Sequence, residues 1–273
     1  MFTEKIFNTG AVSLNYAEGP PSKVPLVMLH GVTIWWQTFL PIMPMFLLRY
    51  HTYALDLRGH GKSGRTPGCY TVRHDAEDVI ALLRDQVGKP AIVLGHSLGA
   101  IVALVAAAEA PEWVSAVVLE DPGLSLLTDD DSSVAGFYKG FRALRDVVTM
   151  NGSTAEKLAA LAAIMPPHTD AATLRRRLKQ ASQCDPEQLT LILERQKFAP
   201  YRLKTLLPQI RCPVLLLQGN PALGGALTDQ DIALALPHLA DCTHVYFDNV
   251  GHAIHLEQPT LFSRIVSDFL ESL

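Results

Sequence analysis

A serine flanked by glycines, Gly95-His96-Ser97-Leu98-Gly99, is the run in this chain whose residue types and spacing most directly suggest chemistry. It follows an apolar stretch, Ala91-Ile92-Val93-Leu94, and opens an apolar helical pattern that closes near Pro111. A serine on a sharp strand-to-helix turn presents its hydroxyl, and the flanking glycines let neighbouring segments crowd in. The N–H groups of the helix start then point toward a reacting carbonyl. This context makes Ser97 a candidate nucleophile for acyl transfer. A serine hydroxyl is a poor nucleophile until a base takes its proton, and the developing oxyanion needs two donors.

The elements that must position such a serine are legible as alternating patterns. Near-continuous apolar runs at 25–30, 91–95, 115–120 and 213–218 read as strands buried on both faces, as in a parallel sheet covered by helices. Helical patterns lie at 74–87, 97–109 and 259–272. Segments 4–8 and 11–18 alternate apolar and polar residues and read as an antiparallel hairpin turning at Asn8-Thr9-Gly10. The sum is an open α/β sheet with antiparallel edge strands. No buried strand is expected within 123–207. There Ser153 and Glu156 form a capping box, Asn151-Gly152 and Pro166-Pro167 are helix stops, and Asp185-Pro186-Glu187-Gln188 is a helix start. Asp129-Asp130-Asp131 reads as a loop and another helix start. The expected organisation is a core of residues 1–122 and 208–273 with a helical cap, 123–207, inserted between core strands.

Composition narrows the classes. The 273 residues carry 23 Lys plus Arg against 27 Asp plus Glu, a formal net charge of −4, which disfavours a nucleic-acid partner. The hydrophobic share of 48% is that of a globular chain rather than a disordered one. No secretory leader is visible at Met1-Phe2-Thr3-Glu4-Lys5, and no uninterrupted apolar stretch of about 18 residues predicts a membrane span. Cys69, Cys184, Cys212 and Cys242 lack metal-ligand or disulfide spacing and read as reduced thiols, which suggests a cytoplasmic location.

Four motifs in order then carry a resemblance: His30-Gly31 after a strand with Trp36 close behind, Asp56-Leu57-Arg58-Gly59-His60-Gly61-Lys62-Ser63 after the next strand, the Gly95–Gly99 turn, and Val250-Gly251-His252 after strand 243–247. The chain resembles the α/β-hydrolase superfamily over nearly its whole length outside the cap. The resemblance implies an α/β-hydrolase fold: a mostly parallel central sheet flanked by helices, with the cap between core strands. It implies Ser97 as nucleophile and His252 as base, with His255 as the rival histidine lacking the preceding glycine. It also implies an oxyanion hole from the backbone N–H groups of Val32 and Leu98. No metal or organic cofactor is implied. His30, His60 and His96 take supporting places in their motifs, and Asp56 and Arg58 brace the loop.

The acid departs from the commonest pattern of the superfamily. The stretch after strand 213–218 reads Asn220-Pro221-Ala222-Leu223, with no carboxylate at the aligned place. Some haloalkane dehalogenases and a zearalenone-type lactone hydrolase instead carry the acid after the preceding strand. Here that place is Glu120-Asp121-Pro122, and Glu120 matches best through its Glu-x-Pro pattern. Glu120 is therefore the expected acid, with Asp121 and Asp229 (or Asp231, at a helix start) as alternatives. Trp36, Phe137 and Phe141 are expected to line the substrate pocket, although a tryptophan in this loop also suits core packing. Arg175-Arg176-Arg177 with Lys179 reads as a solvated helix face.

The function these residues imply is a serine hydrolase of a small, mostly hydrophobic ester or lactone. A carbon–carbon bond hydrolase can use the same three groups. A ligand receptor on the same fold is the reading of a different class.

Overall fold

The computed structural model describes residues 2–128, 135–199 and 201–273. Eight strands form one sheet: β1 (Thr3–Asn8), β2 (Ser13–Glu18), β3 (Val24–Leu29), β4 (Tyr50–Leu55), β5 (Ala91–His96), β6 (Val114–Glu120), β7 (Val214–Gly219) and β8 (Cys242–Phe247). Their spatial order is β1-β2-β4-β3-β5-β6-β7-β8. The β1/β2 and β2/β4 pairs are antiparallel and every other pair is parallel, as the edge hairpin and the buried apolar runs predict. The helices are α1 (Met43–Phe46), α2 (Val72–Leu82), α3 (Leu98–Glu109), α4 (Ala135–Thr149), α5 (Thr154–Ile164), α6 (Ala171–Ser182), α7 (Glu187–Leu193), α8 (Leu203–Leu206), α9 (Asp229–Ala235), α10 (Ile254–Glu257) and α11 (Pro259–Glu271).

Strand residues of alternate phase sort onto opposite faces of the sheet, the consequence of a two-residue side-chain period. Val27, Leu29, Val93, Val117, Leu119 and Leu216 join the cluster built on α2 and α3. Leu26, Met28, Leu94, Ala116, Val118 and Leu217 join the one built on α1 and α11. Every α3 residue from Leu98 to Ala107 is buried, so this helix is apolar on all sides.

Helices α4 to α7, followed by the short α8, occupy the interval between β6 and β7, and no strand occurs there among the described residues. They carry their own small cluster around Leu144, Leu161, Leu178 and Leu189. The capping box forms as the sequence predicts: Glu156 N–H donates to Ser153 Oγ (3.3 Å), and Ser153 N–H donates to Glu156 Oε2 (2.7 Å). The expected Asp129-Asp130-Asp131 loop lies outside the described residues. Lys197, fully buried, ties the helical segment to the core: Nζ donates to Asp75 Oδ2 (2.5 Å) on α2 and to Gln188 Oε1 (2.7 Å) on α7. A buried ammonium is tolerated only with such partners.

Candidate active site

The turn at Ser97 is sharp because three close approaches require it. A Cβ on Gly95 would lie 2.2 Å from the Gly99 carbonyl oxygen, and one on Gly99 would lie 2.0 Å from that of Leu29. Glycine at both places lets α3 descend onto the ends of β5 and β3. Ser97 itself takes φ 54° and ψ −114°, a strained conformation for a residue with a side chain. Gly31 faces this turn: a Cβ there would stand 3.1 Å from Ser97 Cβ. The loop after β3 therefore lies directly against the serine.

His252 approaches from the other side. Its ring lies 4.6 Å from that of His96, measured between centroids. His96 Nε2–H donates to the His252 carbonyl oxygen (3.0 Å). Burial pushes the His96 pKa down to about 3, so this ring is neutral and its protonated nitrogen is the one facing that carbonyl. Gly251 is required beside it, since a Cβ there would meet the Leu223 carbonyl oxygen at 2.3 Å.

The partner of His252 is Asp121, and this corrects the expectation for Glu120. His252 Nδ1–H donates to Asp121 Oδ2 at 2.7 Å. Glu120 instead accepts from His255, from its Nδ1 (2.7 and 2.8 Å) and its backbone N–H (2.8 Å). The reason is strand phase. Glu120 is the last β6 residue, in step with Ala116 and Val118, so its side chain enters the face that holds Phe39, Ile254 and Phe262. His255 is buried there, with Nε2 2.9 Å from Thr38 Oγ1. Asp121 leaves the strand with φ 45° and turns to the mouth of the sheet.

Asp121 is fully buried, and its carboxylate is held by three backbone donors besides the histidine: Gly219 (2.9 Å), Ala226 (2.6 Å) and Leu227 (3.3 Å). Bonds of this kind offset both the cost of burying a carboxylate and the roughly 1–3 kcal/mol of backbone strain. Those donors belong to the end of β7 and the segment after it, which lacks the usual carboxylate. Asn220 in that segment serves structure, accepting from Ala222 N–H and donating to the Asp248 carbonyl oxygen. Asp229 accepts from Gln218 Nε2 (2.9 Å), and Asp231 caps α9 with Thr228, so neither is bonded to His252.

For Glu120, burial raises the carboxyl pKa, but the charge and hydrogen bonds of His255 outweigh it and leave it below its ordinary value. His96, Glu120 and His255 are the one group of such side chains among the described residues whose ligand atoms, within 4.8 Å of one another, suit a metal ion. Their hydrogen bonds already commit both Glu120 oxygens, both His255 nitrogens and Nε2 of His96.

The remaining expected residues divide. Val32 packs against both the α3-side core and the helical segment. Leu98 begins α3 directly after Ser97. Phe137 and Phe141 stack with centroids 6.5 Å apart on α4, with Phe137 near Gly123. Trp36 does not belong with them. It is buried in the α1/α11-side core, and its Nε1–H donates to Glu4 Oε1 (2.9 Å) on the edge strand β1. That placement makes it a packing residue. The bracing expected of Asp56 and Arg58 is present: Asp56 accepts from Trp36 N–H and Lys62 N–H, and Arg58 makes a two-pronged pair with Asp78.

Arg177 contradicts the reading of its cluster as wholly solvated. Arg175 and Arg176 are exposed, but Arg177 turns inward and donates to the Thr33 carbonyl oxygen (3.1 Å) and Oγ1 (2.8 Å). The signal available in sequence was its place on the stripe of Leu174, Leu178 and Ala181, which recurs at helical spacing.

Residues 26–265 match the model of a family described as "Alpha/beta hydrolase family". The chain is 30% identical to the magnesium-chelatase 30 kDa subunit of Rhodobacter capsulatus, over 93% of this chain and 89% of that one. It is 28% identical to a pimeloyl-[acyl-carrier protein] methyl ester esterase of Photobacterium profundum, over 90% and 94%. It is 34% identical to the 2-(acetamidomethylene)succinate hydrolase of Mesorhizobium japonicum, but this match spans only 44% of the chain and 43% of that protein. A solved E-2-(acetamidomethylene)succinate hydrolase superposes with a TM-score of 0.78 over 99% of this chain and 100% of that one; at 22% identity this likeness shows the fold alone.

Proposed function

The chain belongs to the alpha/beta hydrolase family, and from that premise we propose that it is a serine hydrolase cleaving a carboxylic ester or lactone through an acyl-enzyme on Ser97. The observation that carries the reading is the 2.7 Å bond from His252 to the buried Asp121, beside a strained serine turn. Asp121 holds Nδ1 of His252 protonated, which leaves Nε2 as the basic nitrogen. That nitrogen takes the Ser97 proton as Oγ attacks the carbonyl. The N–H groups of Leu98 and Val32 receive the oxyanion. The imidazolium, stabilised by Asp121, then gives its proton to the leaving oxygen, and water attacks the acyl-enzyme by the same route.

Helices α4 to α7 act in this scheme as a lid. Phe137 and Phe141 supply apolar surface, so the substrate is a small molecule with a substantial apolar part. No helix among the described residues is long and apolar enough to cross a membrane. The methyl ester esterase among the relatives supports the ester reading.

The test is a fluorophosphonate probe followed by p-nitrophenyl esters of graded chain length. The probe should label the protein once, on Ser97, and Ser97→Ala should abolish both labelling and turnover. A folded protein that takes no label, or takes it elsewhere, overturns the proposal.

A further inference from the structure

We propose that Arg177 is an anion-binding position of this site, which receives a carboxylate carried by the substrate. The inference rests on the serine-hydrolase reading and narrows its substrate to an apolar ester or lactone with an acidic end.

The starting point is charge bookkeeping inside the fold. Arg58 and Lys197 are buried cations, and each faces a carboxylate, Asp78 and Asp75 respectively. Arg177 is half-buried, and no carboxylate pairs with it among the described residues. Its pKa lies below the ordinary arginine value because burial disfavours its charge and only the Cys184 thiol lies near enough to counter it. Burial pushes that thiol up to about 12, so it is protonated and supplies no negative charge. A desolvated cation without a counter-charge is costly, and an anionic ligand removes that cost.

The position of the guanidinium says where such a ligand sits. Arg177 is anchored on Thr33, a buried residue with φ 63°. Thr33 follows Val32 and lies two residues past Gly31, which abuts Ser97. Two residues of chain span at most about 7 Å, so Arg177 is anchored on the same short loop that abuts the serine turn. An arginine carries five N–H donors in a planar fork, and Thr33 takes two. The other three have no acceptor among the described residues. A carboxylate is the group whose two oxygens match such a fork.

The experiment compares p-nitrophenyl butyrate with mono-p-nitrophenyl succinate, esters of equal acyl length that differ by one carboxylate. Wild-type protein should prefer the succinate half-ester. Arg177→Gln should reduce that preference, as the ratio of kcat/KM values, by about tenfold or more, mostly through KM, and Arg177→Lys should restore part of it. Because Arg177 also steadies Thr33, both rates can fall, and the ratio is the informative quantity. An unchanged ratio, with equal loss on both esters, overturns the proposal and leaves Arg177 as a prop for the loop. If neither ester is cleaved and Ser97 takes no probe, it is the hydrolase reading that fails. Calorimetric binding of monomethyl succinate to wild-type and Arg177→Gln proteins then decides the anion position: weakening of about tenfold supports it, and no binding to wild type overturns it.

Discussion

Two histidine–carboxylate pairs lie side by side in this molecule, built on consecutive acids. Asp121 with His252 and Glu120 with His255 have the same 2.7 Å contact through the same ring nitrogen. They differ in access. The His252 side chain is 36% exposed, whereas His255, Glu120 and Asp121 are all at 0%. One pair has a free ring edge toward the mouth of the sheet; the other is closed off, its second nitrogen taken by Thr38. The same functional groups therefore hold a fold together in one place and are available for proton transfer in the other. Hydrogen-bond length does not separate the two roles, but exposure and the direction of the unused nitrogen do.

The comparison is broken most sharply at the acids. Asp121→Asn should lower turnover by about 10³–10⁴-fold, the loss expected when the orienting charge of a triad is removed. It should also lower stability, because an amide presents one oxygen to donors that now meet two. Steady-state kinetics with active-site titration of the folded fraction separates the two effects. Glu120→Gln should show the reverse balance. Breaking a buried pair costs about 3–5 kcal/mol, seen as a lower urea midpoint. Turnover per folded molecule should change by less than about tenfold, far short of a triad residue. A rate loss as large as that of Asp121→Asn would return Glu120 to the chemistry.

Acid sensitivity sharpens the contrast further. His96, between the two pairs, has a folded pKa of about 3 against an ordinary 6.5. Below pH 6.5 the unfolded chain binds a proton that the folded chain refuses. Stability therefore falls as pH drops from 6.5 toward 3, by up to about 1.4 kcal/mol per unit for this one group. His96→Gln should flatten that slope in urea titrations, with His30, His60 and His244, whose pKa values burial also lowers, contributing to the remainder. Glu120, held below its ordinary 4.5, adds stability above that pH which is lost as pH falls through its lower folded value. Glu120→Gln should thus remove the loss of stability that this carboxyl contributes below about pH 4.5. The smallest effect is expected at the lid. Phe141→Ala should shift the relative rates of short and long esters by a fewfold, below the roughly 10–200-fold that one apolar contact can supply, while leaving both pairs intact. Equal shifts for all esters would remove Phe141 from the pocket.

Much of this was legible from residue patterns. The β5 run, the glycines around Ser97 and the Gly251-His252 pair located the turn and its histidine, because close backbone approach and strand–helix alternation leave marks in sequence. The choice between Glu120 and Asp121 did not show. β6 is apolar in both phases, so nothing in Val117-Val118-Leu119 reveals which face the next residue enters. Trp36 was ambiguous for a similar reason: an aromatic side chain in a loop suits a pocket or a core equally, and its Glu4 partner lies far away in sequence. Arg177 was masked by two exposed arginines beside it, although helical spacing set it apart.

The donors that hold Asp121 begin at Gly219, and the histidines of both pairs come later still. A chain made from its N-terminus outward thus carries Ser97 well before anything that can activate it. The turn from β5 into α3 rests on β3 and on β6, whose Glu120 carbonyl oxygen accepts from Ser97 N–H, whereas His252 waits for β7, β8 and the loops beyond. Unfinished or clipped chains ending before β7 should ignore a fluorophosphonate even where the Ser97 turn has formed. On the proposed mechanism hydrolytic competence is in this sense a proofreading mark: it arrives only with the residues from Gly219 onward, and only a chain that has closed its whole sheet can display it.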